Sequence, residues 1–288
     1  MPFKNKNKLD IYAQEIIEKY KNGMSCRAIG REYNCDKKIV KKLLNKNNME
    51  LTRTCHVPYS FNENFFENID TPDKAYVFGL WCADGCIVAP HAIKITLQED
   101  DRELLEKIRK IMDIEKPLVF TERSKKNPKW KNTYGIVLYS DKMFSDLKKL
   151  GCTERKSLTL EFPSFLSEEL ISHFIRGYFD GDGSVSKKRR GCGSSIVSST
   201  IFCEKLYDYL TNKLNIECHW VKVKENPKTS KICIYKKVET KKLMDFMYKD
   251  ADLYMERKYR IFKEKFSEAS DINLIMLVSK FVAMSSLS

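Results

Sequence analysis

Apolar residues between positions 9 and 44 recur at helical spacing in three short runs. Ile11, Ile16, Ile17 and Tyr20 fall on one face of a first helix, which Gly23 ends. Ser25 is placed to cap a second helix carrying Ala28, Ile29 and Tyr33. After a turn at Asn34-Cys35, Asp36 caps a third helix with Ile39, Val40, Leu43 and Leu44 turned inward. Three short helices with a tight turn before the last predict a helix-turn-helix arrangement. Residues 45 to 70 then lose any sustained period and read as a linker.

From residue 71 the pattern runs through one series of elements twice. The first series is a helix ending at Ala83-Asp84-Gly85, strands at 86–90 and 91–98, and a helix opening at Asp100 with Glu103 in capping-box position. Strands near 117–121 and 134–140 and a helix at 141–150 complete it. The second is a helix ending at Gly181-Asp182-Gly183, strands near 184–188 and 194–200, and a helix at 202–213. Strands near 217–224 and 231–236 and a helix at 238–249 follow. Asp84 and Asp182 are 98 positions apart, and Leu104 and Leu206 are 102 apart. The fold class this predicts is α+β, a duplicated αββαββα unit with antiparallel sheets beside a small all-α module. The expected boundaries are 1–50 for the helical module, 51–70 for the linker, 71–165 and 166–268 for the repeats, and 269–288 for a tail.

Charge narrows the partner. The 288 residues hold 52 Lys and Arg against 39 Asp and Glu, a formal charge of +13, with 42% hydrophobic content. The chain can bury a core, and its surface suits a phosphate-rich partner. Residues 1–50 alone hold 12 basic against 6 acidic residues, and Arg27, Lys37, Lys38, Lys41 and Lys42 ring the predicted third helix and its approach. That face suits the major groove of duplex DNA; a small bundle with a solvated basic side is the plainer reading.

The ten cysteines form no CxxC pair, which points to free thiols in a reducing, cytoplasmic setting. The start of the chain has no apolar signal region, and the apolar run from Ile272 to Met284 is interrupted and short for a bilayer. No membrane role is expected.

The two helices that open the repeats carry the chemistry. Thr71-Pro72-Asp73 and Ser167-Glu168-Glu169 are each read as a cap followed by acids in the first turn. Ala75, Gly79 and Ala83, like Gly177 and Gly181, recur every four residues, which lets two helix backbones approach closely. An interface through Gly79, Ala83, Gly177 and Gly181 would set the repeats about a pseudo-twofold axis. Each helix ends in an aspartate, where helix-end carbonyls already carry negative partial charge. A cation is needed there, and two such carboxylates brought together suit divalent metals engaged in phosphodiester hydrolysis.

Val77-Phe78-Gly79-Leu80-Trp81-Cys82-Ala83-Asp84-Gly85 and Ile175-Arg176-Gly177-Tyr178-Phe179-Asp180-Gly181-Asp182-Gly183 resemble the paired motifs of the LAGLIDADG homing endonucleases. The stretches GCTERKSLTLEFPSF and YKDADLYMERKYRIF are similar to that family as well. The resemblance covers about residues 59 to 266. It implies a monomeric, site-specific DNA endonuclease using Mg²⁺, with Mn²⁺ able to substitute, and no obligate protein partner. It also implies Asp84 and Asp182 as metal ligands, helped by the carbonyls of Ala83 and Gly181. Gln98 would position water, with Thr200 at the matching place. Lys236 would lie near the scissile phosphate, with Tyr139 or Ser140 as the first half's counterpart. Lys222, Lys224 and Lys231 would meet phosphates. Cys82 departs from the family's earlier aspartate, which Asp180 keeps. Two other readings stay open, a non-catalytic DNA-binding regulator and an RNA-binding intron maturase; an intein is disfavoured because the chain opens on Met1 and lacks a terminal His-Asn pair.

Overall fold

The computed structural model describes residues 9–21, 24–49, 59–88, 91–154, 156–186, 193–224 and 226–264. Gly23, residues 51–58 of the expected linker and the expected tail lie outside the described residues. The chain divides into two units, Met1–Ser60 and Phe61–Ser288.

In the first unit, α1 (Ala13–Lys21), α2 (Cys26–Glu32) and α3 (Lys37–Lys46) close around Leu9, Ile16, Ile17, Tyr20, Ile29, Val40, Leu43 and Leu44. Ser25 Oγ accepts the amide of Ala28, and Asp36 Oδ1 accepts that of Lys38 at 2.7 Å, so both helices are capped by their own side chains. A methyl group at Gly30 would lie 2.7 Å from the carbonyl oxygen of Cys35. Only glycine lets the turn after α2 fold back that tightly. Ile11 is not an inward residue: a 3₁₀ turn at Asp10–Tyr12 precedes α1 and turns it out, 80% exposed, while Leu9 takes the core position.

The second unit holds both repeats. The first consists of α4 (Pro72–Asp84), β1 (Gly85–Val88), β2 (Ala92–Gln98), α5 (Arg102–Ile111), β3 (Val119–Thr121), β4 (Thr133–Tyr139) and α6 (Asp141–Lys149). The second consists of α7 (Glu168–Asp182), β5 (Gly183–Val185), β6 (Ser194–Ser199), α8 (Thr200–Asp208), β7 (His219–Lys222), β8 (Thr229–Ile234) and α9 (Lys237–Tyr248). A π-helical stretch, Tyr209–Lys213, prolongs α8. Each repeat builds one four-stranded antiparallel sheet, in the orders β1-β2-β4-β3 and β5-β6-β8-β7.

Helices α4 and α7 are buried nearly all round and cross at the centre of the core. A methyl group on Gly79 would fall on the carbonyl oxygen of Phe174 and 2.9 Å from the amide of Tyr178. One on Gly177 would fall on the carbonyl oxygen of Tyr76 and 2.9 Å from the amide of Leu80. The backbones touch at these two glycines.

Two expected caps do not form. Residues Glu99–Asp101 make a 3₁₀ turn, so α5 starts at Arg102; Asp100 pairs with Lys131, and Asp101 pairs with Arg257. These ion pairs draw the carboxylates away from the helix end. Ser167 makes no side-chain cap to α7, whereas Thr71 caps α4 by accepting the amide of Lys74 at 3.3 Å.

Candidate active site

Asp84 and Asp182 are the last residues of the two packed helices. The glycine after each lets the chain leave at once as a strand: a methyl group on Gly85 would strike the Trp81 ring, and one on Gly183 the Phe179 ring. Asp84 Oδ2 would lie 3.1 Å from a methyl group on Gly181, so this carboxylate reaches over the end of the opposing helix.

Both carboxylates are open to solvent, yet dense protein around them costs their charged forms hydration. Burial, then the charge of Asp182, raises Asp84 to about 6. Burial also raises Asp182, against a lowering contact from the Tyr178 hydroxyl and the charges of Lys156 and Lys258.

The cations at the helix ends are two buried lysines. Lys258 Nζ donates to the carbonyls of Phe179, Gly181 and Gly183, the first two at 2.8 and 3.0 Å. Lys156 Nζ donates to those of Ala83, at 3.2 Å, and Gly85. Burial pushes Lys258 down to about 8 against the raising charges of Asp180, Asp84 and Asp182. The carbonyls of Ala83 and Gly181, expected as metal ligands, thus already accept ammonium protons. A lysine ammonium therefore lies on the terminal carbonyls of each helix and offsets their negative partial charge. The sequence carries a signal for both: Glu154-Arg155-Lys156 and Glu256-Arg257-Lys258 are one tripeptide repeated 102 positions apart.

Behind this centre the repeats differ. Asp180, wholly buried, accepts the Tyr76 hydroxyl and the Met255 amide, both at 2.7 Å, and ties α7 to the segment bearing Lys258. Burial raises it to about 6. At the matching place in the first repeat, Cys82 Sγ lies 3.3 Å from Cys152 Sγ.

Strand register sorts the remaining expected residues. Gly85 pairs with Ile95 and Gly183 with Ile196, so the counterpart of Gln98 is Ser199, not Thr200. Gln98 is exposed at the end of β2, whereas Ser199 is buried, accepting the Phe202 amide and donating to the Leu160 carbonyl. Lys236 is not brought to Asp182. Ile234 pairs with Ser194, away from the Gly183 end of the sheet, and Lys236, past that strand end, pairs with Glu217. Tyr139 and Ser140 lie at the corresponding remote end of the first sheet, where Tyr139 pairs with Ala92.

Lys231 shares a row with Val197 and Val221, on the sheet face opposite Ile196, Ile232 and the core. Lys222 has the other parity: it shares the side of Trp220 and Ser230 and is exposed only because β7 is an edge strand. Lys224 lies in the turn after it. Arg27, Lys37, Lys38, Lys41 and Lys42 are all exposed on α2 and α3 of the first unit.

Residues 169–243 match the LAGLIDADG-like domain family. That match lies within the second repeat. The chain's α+β architecture, two four-stranded antiparallel sheets following two packed helices, is that of the LAGLIDADG fold. Over 118 residues the chain is 28% identical to the DNA-directed RNA polymerase subunit Rpo1C of Methanocaldococcus jannaschii, covering 41% of this chain and 13% of that protein. The chain therefore spans only a small part of the length of that curated relative. Among solved structures it is similar to the homing endonuclease I-WcaI bound to its DNA recognition sequence (16% identity, 68% of this chain, 91% of that one, TM-score 0.48). It is also similar to the I-LtrWI LAGLIDADG homing endonuclease bound to target DNA (14%, 71% and 92%, 0.47) and to full-length DUF199/WhiA from Thermatoga maritima (15%, 78% and 73%, 0.45). No described helix is long and apolar enough to cross a membrane.

Proposed function

We propose that this LAGLIDADG-like protein is a site-specific endonuclease of double-stranded DNA that hydrolyses one phosphodiester in each strand, acting as a single chain in the cytoplasm. One observation carries the reading: Asp84 and Asp182 close two helices in backbone contact, each beside a buried lysine on that helix's terminal carbonyls.

The pair fits Mg²⁺, or Mn²⁺ in its place. Two solvent-open carboxylates lie together, one raised partly by the other's charge although Lys156 and Lys258 stand beside them, and Mg²⁺ binds through one or two carboxylates while keeping water and phosphate as its other ligands. Among the described residues no group of three or more His, Cys, Asp or Glu gathers, so the protein's side-chain ligands in this proposal are the two aspartates alone. Bound there, the metal would polarise the scissile phosphate and lower the pKa of attacking water.

The rest falls to the chain. Three carbonyls use all three Lys258 ammonium protons, so Lys258 serves as a positioning residue that fixes the helix end and offsets charge beside Asp182. Lys156 does the same for Asp84. Gln98 is free to orient water at the sheet end. Lys231 on the open face meets phosphate, and Arg27, Lys37, Lys38, Lys41 and Lys42 add backbone contacts from the first unit, a helix-turn-helix in this reading.

A second reading, a DNA-binding regulator without cleavage, is favoured by the lysines that already occupy the carbonyls of Ala83 and Gly181. Asp84→Asn and Asp182→Asn decide between them. On a cleavable target selected from a randomised duplex library, each variant is expected to lose cutting of one or both strands while duplex affinity stays within a few fold. Binding without cutting by the wild type in Mg²⁺ and in Mn²⁺ would leave the regulator.

A further inference from the structure

The β3–β4 connection is built unlike its counterpart in the second repeat. Eleven residues join Thr121 to Thr133, against six between Lys222 and Thr229, although both contain Asn-Pro-Lys, at 127–129 and 226–228. The longer loop carries Arg123, Lys125, Lys126, Lys129 and Lys131 with no acidic residue from 123 to 131. All five are exposed, as is Trp130 at 47%, with the Arg123 guanidinium 5.1 Å over its ring. Glu122 pairs with Lys125 and Asp100 with Lys131 at the surface, which leaves Arg123, Lys126 and Lys129 without a carboxylate partner among these contacts, and an indole held in water is unfavourable; a polyanion with an apolar sugar edge relieves both.

The loop is also held in shape. Asn132 Oδ1 accepts the amides of Arg123 and Ser124 and the Ser124 hydroxyl at 2.9–3.2 Å, while Asn132 Nδ2 donates to Glu99 Oε2 at 3.3 Å. Little ordering remains to be done on binding. It springs from the end of the sheet where Gln98, Thr133 and Thr121 share a row, the end nearer Asp84.

We propose that this loop is a one-sided clamp on duplex DNA, with Lys125, Lys126 and Lys129 on phosphates flanking the first repeat's half of the site and Trp130 packed against the adjoining sugar. It rests on the reading of the protein as a duplex-DNA binder and adds an anchor that the second repeat does not duplicate.

The test uses the full chain and mixed-sequence 40-base-pair duplexes across a KCl series. Each phosphate that a variant no longer neutralises lowers the slope of log affinity against log salt by about 0.9, so Lys125→Ala/Lys126→Ala/Lys129→Ala should lower it by about 2.7. The charge-matched variant Lys107→Ala/Lys110→Ala/Lys241→Ala, on α5 and α9, should leave it nearly unchanged. DNA should quench tryptophan emission in the wild type but not in Trp130→Phe, because Trp81 and Trp220 keep their indole nitrogens buried. Equal slopes for the loop variant and the wild type, equal reductions in both triple variants, or unaltered quenching in Trp130→Phe would each overturn the clamp. Duplex binding by the wild type in those cases leaves the functional reading standing; no wild-type binding overturns both.

Discussion

Arg257 joins the second repeat to the first: its Nε lies 2.9 and 3.0 Å from the two carboxylate oxygens of Asp101. Asp101 is buried, and burial raises it while Arg257 draws it back down. Arg257→Met strands that carboxylate. Breaking a buried pair costs about 3–5 kcal/mol; with the Arg257 side chain 38% exposed, about 1–3 is expected by denaturant unfolding. Adding Asp101→Asn should recover part of the loss, and a double variant no better than the single would show that the pair carries no coupling.

Gly79→Leu and Gly177→Leu should damage folding and cleavage together. Each side chain would enter the backbone of the opposing helix, not the tip of a flexible group. Overpacking costs about 1–3 kcal/mol where neighbours can move, and more here. Misplacing the two carboxylates by about 1 Å could cost on the order of 100-fold in rate. Melting temperature and cleavage rate are compared with Lys110→Leu on the exposed side of α5; glycine variants that match it on both measures would contradict the helix contact.

Asp180 makes stability depend on pH. Its folded value of about 6 lies above its ordinary 3.8, so the folded chain holds the extra proton more tightly. The stability this gives is complete below about 4, is lost as pH rises to about 6, and stays lost above. Asp180→Asn carries no such charge, so relative to wild type it should gain up to about 3 kcal/mol between pH 4 and pH 7. Parallel stability curves for the two proteins would refute the buried-carboxylate account.

Lys258→Met leaves the carbonyls of Phe179, Gly181 and Gly183 without their shared donor, a loss of about 1–3 kcal/mol. It also removes a charge that lowers Asp84. The acid limb of cleavage, set near pH 6 by Asp84 at low divalent concentration, should therefore move upward, and Lys258→Arg should hold it in place. A lysine of purely structural importance would lower the rate and leave the limb unmoved.

Amphipathic period and a 98- to 102-residue offset were enough to read two αββαββα repeats, because a helix or strand with one buried face must show its period in the sequence. The same local logic placed Ser25, Asp36 and Thr71 as caps. It failed at Ser167 and at Asp100, whose carboxylate turns to Lys131, while the neighbouring Asp101 turns to Arg257, 156 positions away. No local rule anticipates a partner so distant.

The site divides along the same line. That Asp84 and Asp182 end two matching helices is legible in the chain; that each helix terminus is served by a lysine 72 or 76 residues further on is not, since a buried lysine and a surface lysine are written with the same letter. Only the repeated Glu-Arg-Lys hinted at it. Register decided the rest: one residue of offset separates Ser199 from Thr200, and strand parity separates Lys231 from Lys222, because successive side chains in a strand point to opposite faces. Periodicity fixes which elements form. Which side chains meet depends on pairing between segments distant along the chain, and only the tertiary structure decides that.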